Sequence, residues 1–125
     1  MTISMIKLPL ATSVEGRYPM TISTLAKAAD ASIHTVRNYM AEGLIVACSR
    51  TQGGYWLFDE PALNRLILIR TAMVAGLRLQ DIKPLLAALD PQDRRKINRE
   101  KVLIDAQIAQ NHQQLTQLSQ LLEHI

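Results

Sequence analysis

From residue 21 onward, apolar positions recur at the spacing of amphipathic helices. The first two segments, 22–29 and 33–42, each predict a short helix, and Asp30 lies between them where the chain must reverse. Asp tolerates the left-handed backbone conformation that such a reversal needs. Two short helices joined by a tight turn predict a helix-turn-helix. The residues suited to cap or end these helices are Thr21 or Ser23, Ser32 and Gly43.

The pattern then changes from helical to strand-like. Two β-prone runs, 44–48 and 55–58, flank a turn that contains Gly53 and Gly54. This arrangement predicts a hairpin, which after a helix-turn-helix forms a wing. Helical spacing returns over 60–75, a helix that Asp59 can cap and Gly76 can end, and over 79–89, where Pro84 is expected to kink the helix.

A last helix is predicted from Asp90-Pro91 to the C-terminus, with apolar residues at alternating steps of four and three. Such a seam predicts a coiled coil with a partner helix. The alternative is a helix that folds back on its own domain, but the seam is narrow and the other faces are rich in Gln, Arg and Lys. The seam consists of Ile97, Lys101, Ile104, Ile108, Asn111, Leu115, Leu118, Leu122 and Ile125.

The predicted fold class is therefore all-α with a small β-hairpin wing, a winged helix-turn-helix followed by a long C-terminal dimerisation coiled-coil helix. We divide the chain into a mobile N-terminal arm (1–19), a DNA-binding domain (20–90) and a dimerisation helix (91–125). The arm shows no periodicity and contains Gly16 and Pro19. Met20 is an alternative start.

Composition narrows the function classes. The chain has 125 residues, a formal net charge of +3 and a pI near 9.3, which is compatible with nucleic-acid binding. A single cysteine, Cys48, excludes an internal disulfide, and no Cys/His cluster has zinc spacing. No segment has the pattern of a signal peptide or a membrane span, nor do any residues form a catalytic motif. We expect a soluble, cytoplasmic protein without catalytic activity, cofactor or metal.

A set of short segments follows one another in a characteristic order and spacing: 21–29, 32–39, 42–45, 54–55, 63–66, 69–70, 75–76, 81–82 and 85–86. Together they resemble the MerR family of bacterial transcriptional regulators. The resemblance implies a homodimer with antiparallel terminal helices on a pseudo-palindromic double-stranded DNA site. Other stretches, including 46–48 and 57–59, look like the secondary regulators of mercury-resistance operons, which implies a repressor or co-regulator.

This chain departs from the family pattern at four positions of the DNA-binding region. Asp30 replaces the turn glycine, Asn38 a tyrosine, Met40 a glutamate and Trp56 an arginine. The cysteines with which metal-sensing members flank the dimerisation helix are also missing, and Cys48 lies in the predicted wing. We therefore expect no mercury sensing by the chain itself.

Candidate DNA contacts lie on the second helix and the wing. Asn38 is the best base reader because its amide can pair bidentately with adenine, whereas the resemblance makes Arg37 and Tyr39 phosphate contacts. Tyr39 is equally compatible with a core position. We expect Tyr55 and Trp56 to pack the wing against the domain, although Trp56 could also touch the DNA backbone. The full set is Lys27, Ser32, His34, Thr35, Arg37, Asn38, Tyr39, Arg50, Tyr55 and Trp56.

Other functions remain open at this point. The chain could be an effector-responsive activator, although it ends at Ile125 and we expect it to lack a sensor domain. Alternatively, its coiled coil could capture a related MerR-family regulator on the same promoter. An architectural winged-helix protein would not need the long terminal seam.

Overall fold

The computed structural model describes residues 18–125, so most of the predicted arm, residues 1–17, lies outside the described part. These residues form two compact units, the first ending at Thr71 and the second running from Ala72 to Ile125. The elements are β1 (Met20–Thr21), α1 (Ile22–Ala28), α2 (Ile33–Ala41), β2 (Ser49–Arg50), β3 (Trp56–Phe58), α3 (Glu60–Val74), α4 (Leu79–Leu89) and α5 (Arg94–Leu122).

Side-chain caps and a buried apolar face define the helix-turn-helix. Thr21 Oγ1 accepts a hydrogen bond from the Thr24 N–H at 3.3 Å, and Ser32 Oγ accepts one from the Thr35 N–H at 3.0 Å. Each cap satisfies a backbone donor that the helix itself cannot. Leu25 and Val36 are fully buried, and each such side chain contributes about 1.5–3 kcal/mol. Both predicted caps are confirmed.

The wing is a three-stranded antiparallel sheet in the order β1-β3-β2, rather than the predicted two-stranded hairpin. The additional edge strand is β1, whose Met20 pairs with Phe58. A strand of two residues is too short to show an alternating pattern in the sequence. The expected strand over 44–48 is also wrong in extent. The Leu44 N–H bonds to Tyr39 O at 2.9 Å and closes α2, so the ladder begins only where the Cys48 N–H reaches Leu57 O at 2.8 Å.

Helix α3 begins at the predicted residue and ends at Val74, one residue earlier than predicted. Asp59 Oδ1 accepts a hydrogen bond from the Ala62 N–H at 3.1 Å, and Gly76 lies just beyond the helix with φ +97°. Leu63, Leu66 and Ile69 are fully buried and form part of the core.

In the second unit, α4 packs against the first part of α5. Helix α4 includes Pro84, and Ile82 and Leu86 are among its buried residues. Helix α5 begins later than predicted because Gln92 has φ +56° and Asp93 is the N-cap, accepting from the Lys96 N–H at 3.2 Å. Pro91 therefore belongs to the connection between the helices.

The predicted seam of α5 divides into two parts. Ile97 is buried at 3% exposure within the single chain, so its assignment to the dimer interface is wrong. Ile104 and Asn111 are half-buried, whereas Lys101, Ile108 and the seam residues after Asn111 are exposed. The first part of α5 therefore folds back on its own unit, and the second part leaves an apolar stripe uncovered. The exposed apolar seam residues are Ile108, Leu115, Leu118, Leu122 and Ile125.

Candidate nucleic-acid interface

The outer face of α2 presents the polar side chains that the sequence singled out. His34, Arg37 and Asn38 are exposed, and Thr35 is half-buried. The Ser32 and Thr35 hydroxyls lie 2.8 Å apart and, together with the cap, tie the first turn of the helix. These hydrogen bonds fix the N-terminal end of α2, which is the end that a recognition helix directs toward base edges.

Asn38 already has a partner on this face. Its Nδ2 lies 3.3 Å from His34 Nε2, one helical turn earlier. The amide nitrogen can only donate, so this contact is a hydrogen bond in the His34 tautomer whose Nε2 accepts. The two side chains form one hydrogen-bonded pair. Because the amide nitrogen has a second N–H and Oδ1 is an acceptor, Asn38 can read an adenine edge bidentately while it still contacts His34.

Tyr39 lies elsewhere. At 9% exposure it is a core residue, as the second interpretation of the sequence held, and it is not part of the exposed face of α2. Lys27 is exposed in the last turn of α1.

The turn between α1 and α2 is held by Arg70 of α3, a residue that was not among the predicted site residues. Asp30 has φ +54°, as expected for the reversal. Its carbonyl accepts a hydrogen bond from Arg70 Nη2 at 3.2 Å. The buried Nε of Arg70 has no hydrogen-bond partner within residues 18–125. A contact across forty residues of sequence leaves no periodic signal, so only the structure reveals it.

The wing orders its own side chains. Thr51 Oγ1 accepts from the Tyr55 N–H at 3.1 Å, and the Arg50 guanidinium lies over the Trp56 ring, 4.1 Å from its centroid. Tyr55 is 71% exposed, so it does not pack the wing against the domain.

An open cleft of about 360 Å³ separates α2 from the wing. It brings together three of the predicted contact residues, Arg37, Tyr55 and Trp56. Lys27 and His34 do not line it. The other lining residues are Thr21, Ile22, Met40 and Gly54. They were not predicted as site residues, because apolar and small side chains carry no chemical signal in the sequence.

Cys48 is exposed, with its Sγ 3.8 Å from Ser49 Oγ. Across residues 18–125, no three His, Cys, Asp or Glu side chains are grouped so that they could hold a metal ion. Nor does this part of the chain contain a helix long and apolar enough to cross a membrane.

A helix-turn-helix whose second helix presents a polar face beside a small β-sheet defines the winged helix-turn-helix class of proteins. The chain belongs to the MerR family, since the family model described as "MerR HTH family regulatory protein" matches residues 20–89. The resemblance drawn from the sequence is confirmed.

Individual relatives agree with this assignment. The HTH-type transcriptional regulator MerD of Shigella flexneri is 44% identical over 73 residues, which cover 58% of this chain and 61% of that protein. A probable heavy metal-dependent transcriptional regulator of Haemophilus influenzae is 35% identical, over 85% of this chain and 82% of its own. The crystal structure of HiNmlR, a MerR family regulator lacking the sensor domain, bound to promoter DNA, superposes with a TM-score of 0.68 at 26% identity, covering 83% of this chain and 78% of that one.

Proposed function

We propose that the chain is a sequence-specific DNA-binding transcriptional regulator, acting as a MerD-like repressor or co-regulator. The observation that carries this proposal is the exposed face of α2, with its capped N-terminus, beside the cleft that leads to the wing. A helix of this kind enters the major groove with its first residues toward the base edges, while flanking charges hold the phosphates. The DNA-bound structure of the relative HiNmlR supports the same use of the fold.

Within this surface, we assign base reading to Asn38 and backbone contact to Arg37, Arg50 and Lys27. The Asn38 amide is exposed, and its second N–H and its Oδ1 are available for adenine beside the contact with His34. The positive side chains release counterions when they meet phosphates, so their contribution is independent of sequence and depends on salt. We assign the chain no catalytic activity, because the cleft gathers one arginine with hydroxyl and apolar groups rather than an acid–base pair.

The test compares Asn38→Ala with Arg37→Ala on the promoter nearest the gene and on a scrambled duplex, across a salt series. Asn38→Ala should cost about 1–3 kcal/mol on the promoter and little on the scrambled duplex. Arg37→Ala should weaken both duplexes alike and reduce the salt slope by about 0.9 for each phosphate that the arginine no longer neutralises. Equal losses on both duplexes for Asn38→Ala would remove it as a base reader.

We further propose that the chain forms a homodimer through the exposed part of α5. Leu115, Leu118 and Leu122 are 63%, 51% and 58% exposed in the single chain and lie on one face. A second α5 would cover them, at about 1.5–3 kcal/mol for each fully buried leucine. The antiparallel arrangement, which rests on the family resemblance, would present two recognition helices to a pseudo-palindromic site.

Leu118→Asp should shift the protein toward monomer, as measured by light scattering at micromolar concentration. Gln117→Asp is the matched control, since Gln117 is exposed and off the seam. A monomeric native chain would refute the homodimer. If that monomer associates with a related MerR-family regulator through the same stripe, the alternative partner is correct, and Leu118→Asp should abolish that association.

A further inference from the structure

One contact in the wing involves two side chains directly opposite each other. Arg50 on β2 and Trp56 on β3 are register partners, so their side chains share one face of the sheet. The guanidinium carbon of Arg50 lies 4.1 Å from the centroid of the Trp56 ring. In addition, Arg50 Nε donates a hydrogen bond to Gly54 O at 3.3 Å, in the turn that joins the two strands. The arginine is therefore held at its Nε and against a ring.

This arrangement leaves the far end of the guanidinium available. Arg50 is exposed, and its two terminal nitrogens make no hydrogen bond or ion pair within residues 18–125. Their N–H groups form the fork that matches two phosphate oxygens. A free arginine at a protein surface samples many rotamers and loses that freedom when it binds. An arginine stacked on Trp56 has already lost much of it.

We propose that Trp56 is a positioning residue that holds Arg50 as a preorganised phosphate contact of the wing. The proposal rests on the proposed DNA-binding function. The role of Trp56 is then indirect: the indole holds Arg50 in place and does not itself contribute to DNA binding by direct contact. The charge comes from β2, and the aromatic platform on β3 fixes where that charge is presented.

The roles of Trp56 and Arg50 can be separated by how much each substitution lowers DNA affinity and changes its salt dependence. An exposed arginine–tryptophan stack contributes about two- to fivefold in an equilibrium constant. Trp56→Leu should therefore weaken duplex binding by about that factor, with the salt slope unchanged because the arginine still reaches the phosphate. Arg50→Ala should weaken binding further and lower the slope by about 0.9 for each phosphate that Arg50 neutralises in the native protein.

The decisive measurement is the double variant. If Trp56 acts through Arg50, adding Trp56→Leu to Arg50→Ala should cause no further loss of affinity. Trp56→Phe should keep most of the affinity that Trp56→Leu loses, because the smaller ring still stacks on the guanidinium. Gln52 is an exposed turn residue, so Gln52→Ala is the control for a general effect on the wing. Urea unfolding followed by circular dichroism identifies any variant whose wing fails to fold.

Trp56 is the only tryptophan of the chain, so its fluorescence reports the stack without labelling. In the free protein, Arg50→Ala should raise the quenching of the indole by acrylamide, because one ring face loses its cover. Unchanged quenching in Arg50→Ala would mean that the stack does not exist in solution and would overturn the proposal.

Binding is measured on a scrambled duplex as well as on the promoter, which separates phosphate contact from base reading. Phosphate contact is independent of sequence, so the Trp56 effect should be present on both duplexes. Additive losses in the double variant would show that Trp56 contacts DNA directly and would overturn the proposal while leaving the proposed function intact. Failure to bind any duplex would overturn the proposed function, and the phosphate contact with it.

Discussion

Ser32 caps α2 and also lies on the proposed DNA-binding surface, so substitutions at this position can separate an effect on stability from an effect on DNA binding. Its Oγ accepts the Thr35 N–H at 3.0 Å and lies 2.8 Å from the Thr35 hydroxyl, at the start of a nine-residue helix. Ser32→Ala removes the cap, and the free energy of unfolding should fall by about 1 kcal/mol. For a chain of this size, that loss corresponds to a decrease in Tm of about 4 °C.

Ser32→Asp retains an acceptor for the Thr35 N–H and should keep the stability within a few tenths of a kcal/mol. On DNA it should act differently. If α2 approaches the phosphates with its N-terminus, the new carboxylate meets like charge, worth about 1–4 kcal/mol at 4 Å according to solvent exposure. We therefore expect at least about a fivefold loss of affinity at low salt, which added salt should reduce.

The assay pairs thermal unfolding, at one fixed protein concentration, with gel shifts at two salt concentrations. Ser32→Gly is the matched control, since glycine at a cap costs only about a few tenths of a kcal/mol and adds no charge. Native-like DNA affinity for Ser32→Asp would refute the approach of α2 to the backbone. An unchanged Tm for Ser32→Ala would refute the energetic importance of the cap.

Two further predictions concern the turn and the cysteine. Arg70→Met should free the Asp30 carbonyl and cost about 1 kcal/mol of stability. It should also speed hydrogen exchange of the Ala31 amide, which bonds to Ala26 O at 2.8 Å, whereas Arg70→Lys should keep part of the protection; unchanged exchange in Arg70→Met would contradict the role of this hydrogen bond. Cys48 is the single thiol of the chain, and a stable soft-metal site needs two or more sulfurs, so the dimer should retain no Hg(II) against roughly millimolar competing thiol. Retention of one ion per dimer by the native protein but not by Cys48→Ser would show that expectation to be wrong.

The features predicted correctly from the sequence are those that depend on residues close together in the chain. The caps at Ser32 and Asp59, the reversal at Asp30 and the end of α3 at Gly76 each depend on one side chain or one backbone angle. Pairings between distant segments were not predictable in this way. The pairing of β1 with β3 rests on two residues, too few for a period.

The candidate site shows the same division. The polar face of α2 was predicted because its residues are four or fewer positions apart. The cleft was not, because it joins Ile22 and Met40 to a wing whose position depends on tertiary packing. The burial of Ile97 follows a similar rule: a seam position looks the same in sequence whether its partner is α4 of the same chain or a second chain.

Thr21 belongs to β1 and is also the N-cap of α1, so no residue separates the sheet from the helix-turn-helix. A linker would let the wing swing on its own, but this junction contains no freely rotating segment. The distance from α2 to the wing is therefore a fixed dimension of the protein. If α2 reads bases and the wing contacts the backbone, as we propose, an operator with one base pair more or fewer between these two contacts would be out of step by about 3.4 Å. Since the protein has no hinge at this junction, the DNA would have to stretch or twist to restore both contacts, and its stiffness would then set the permitted spacing.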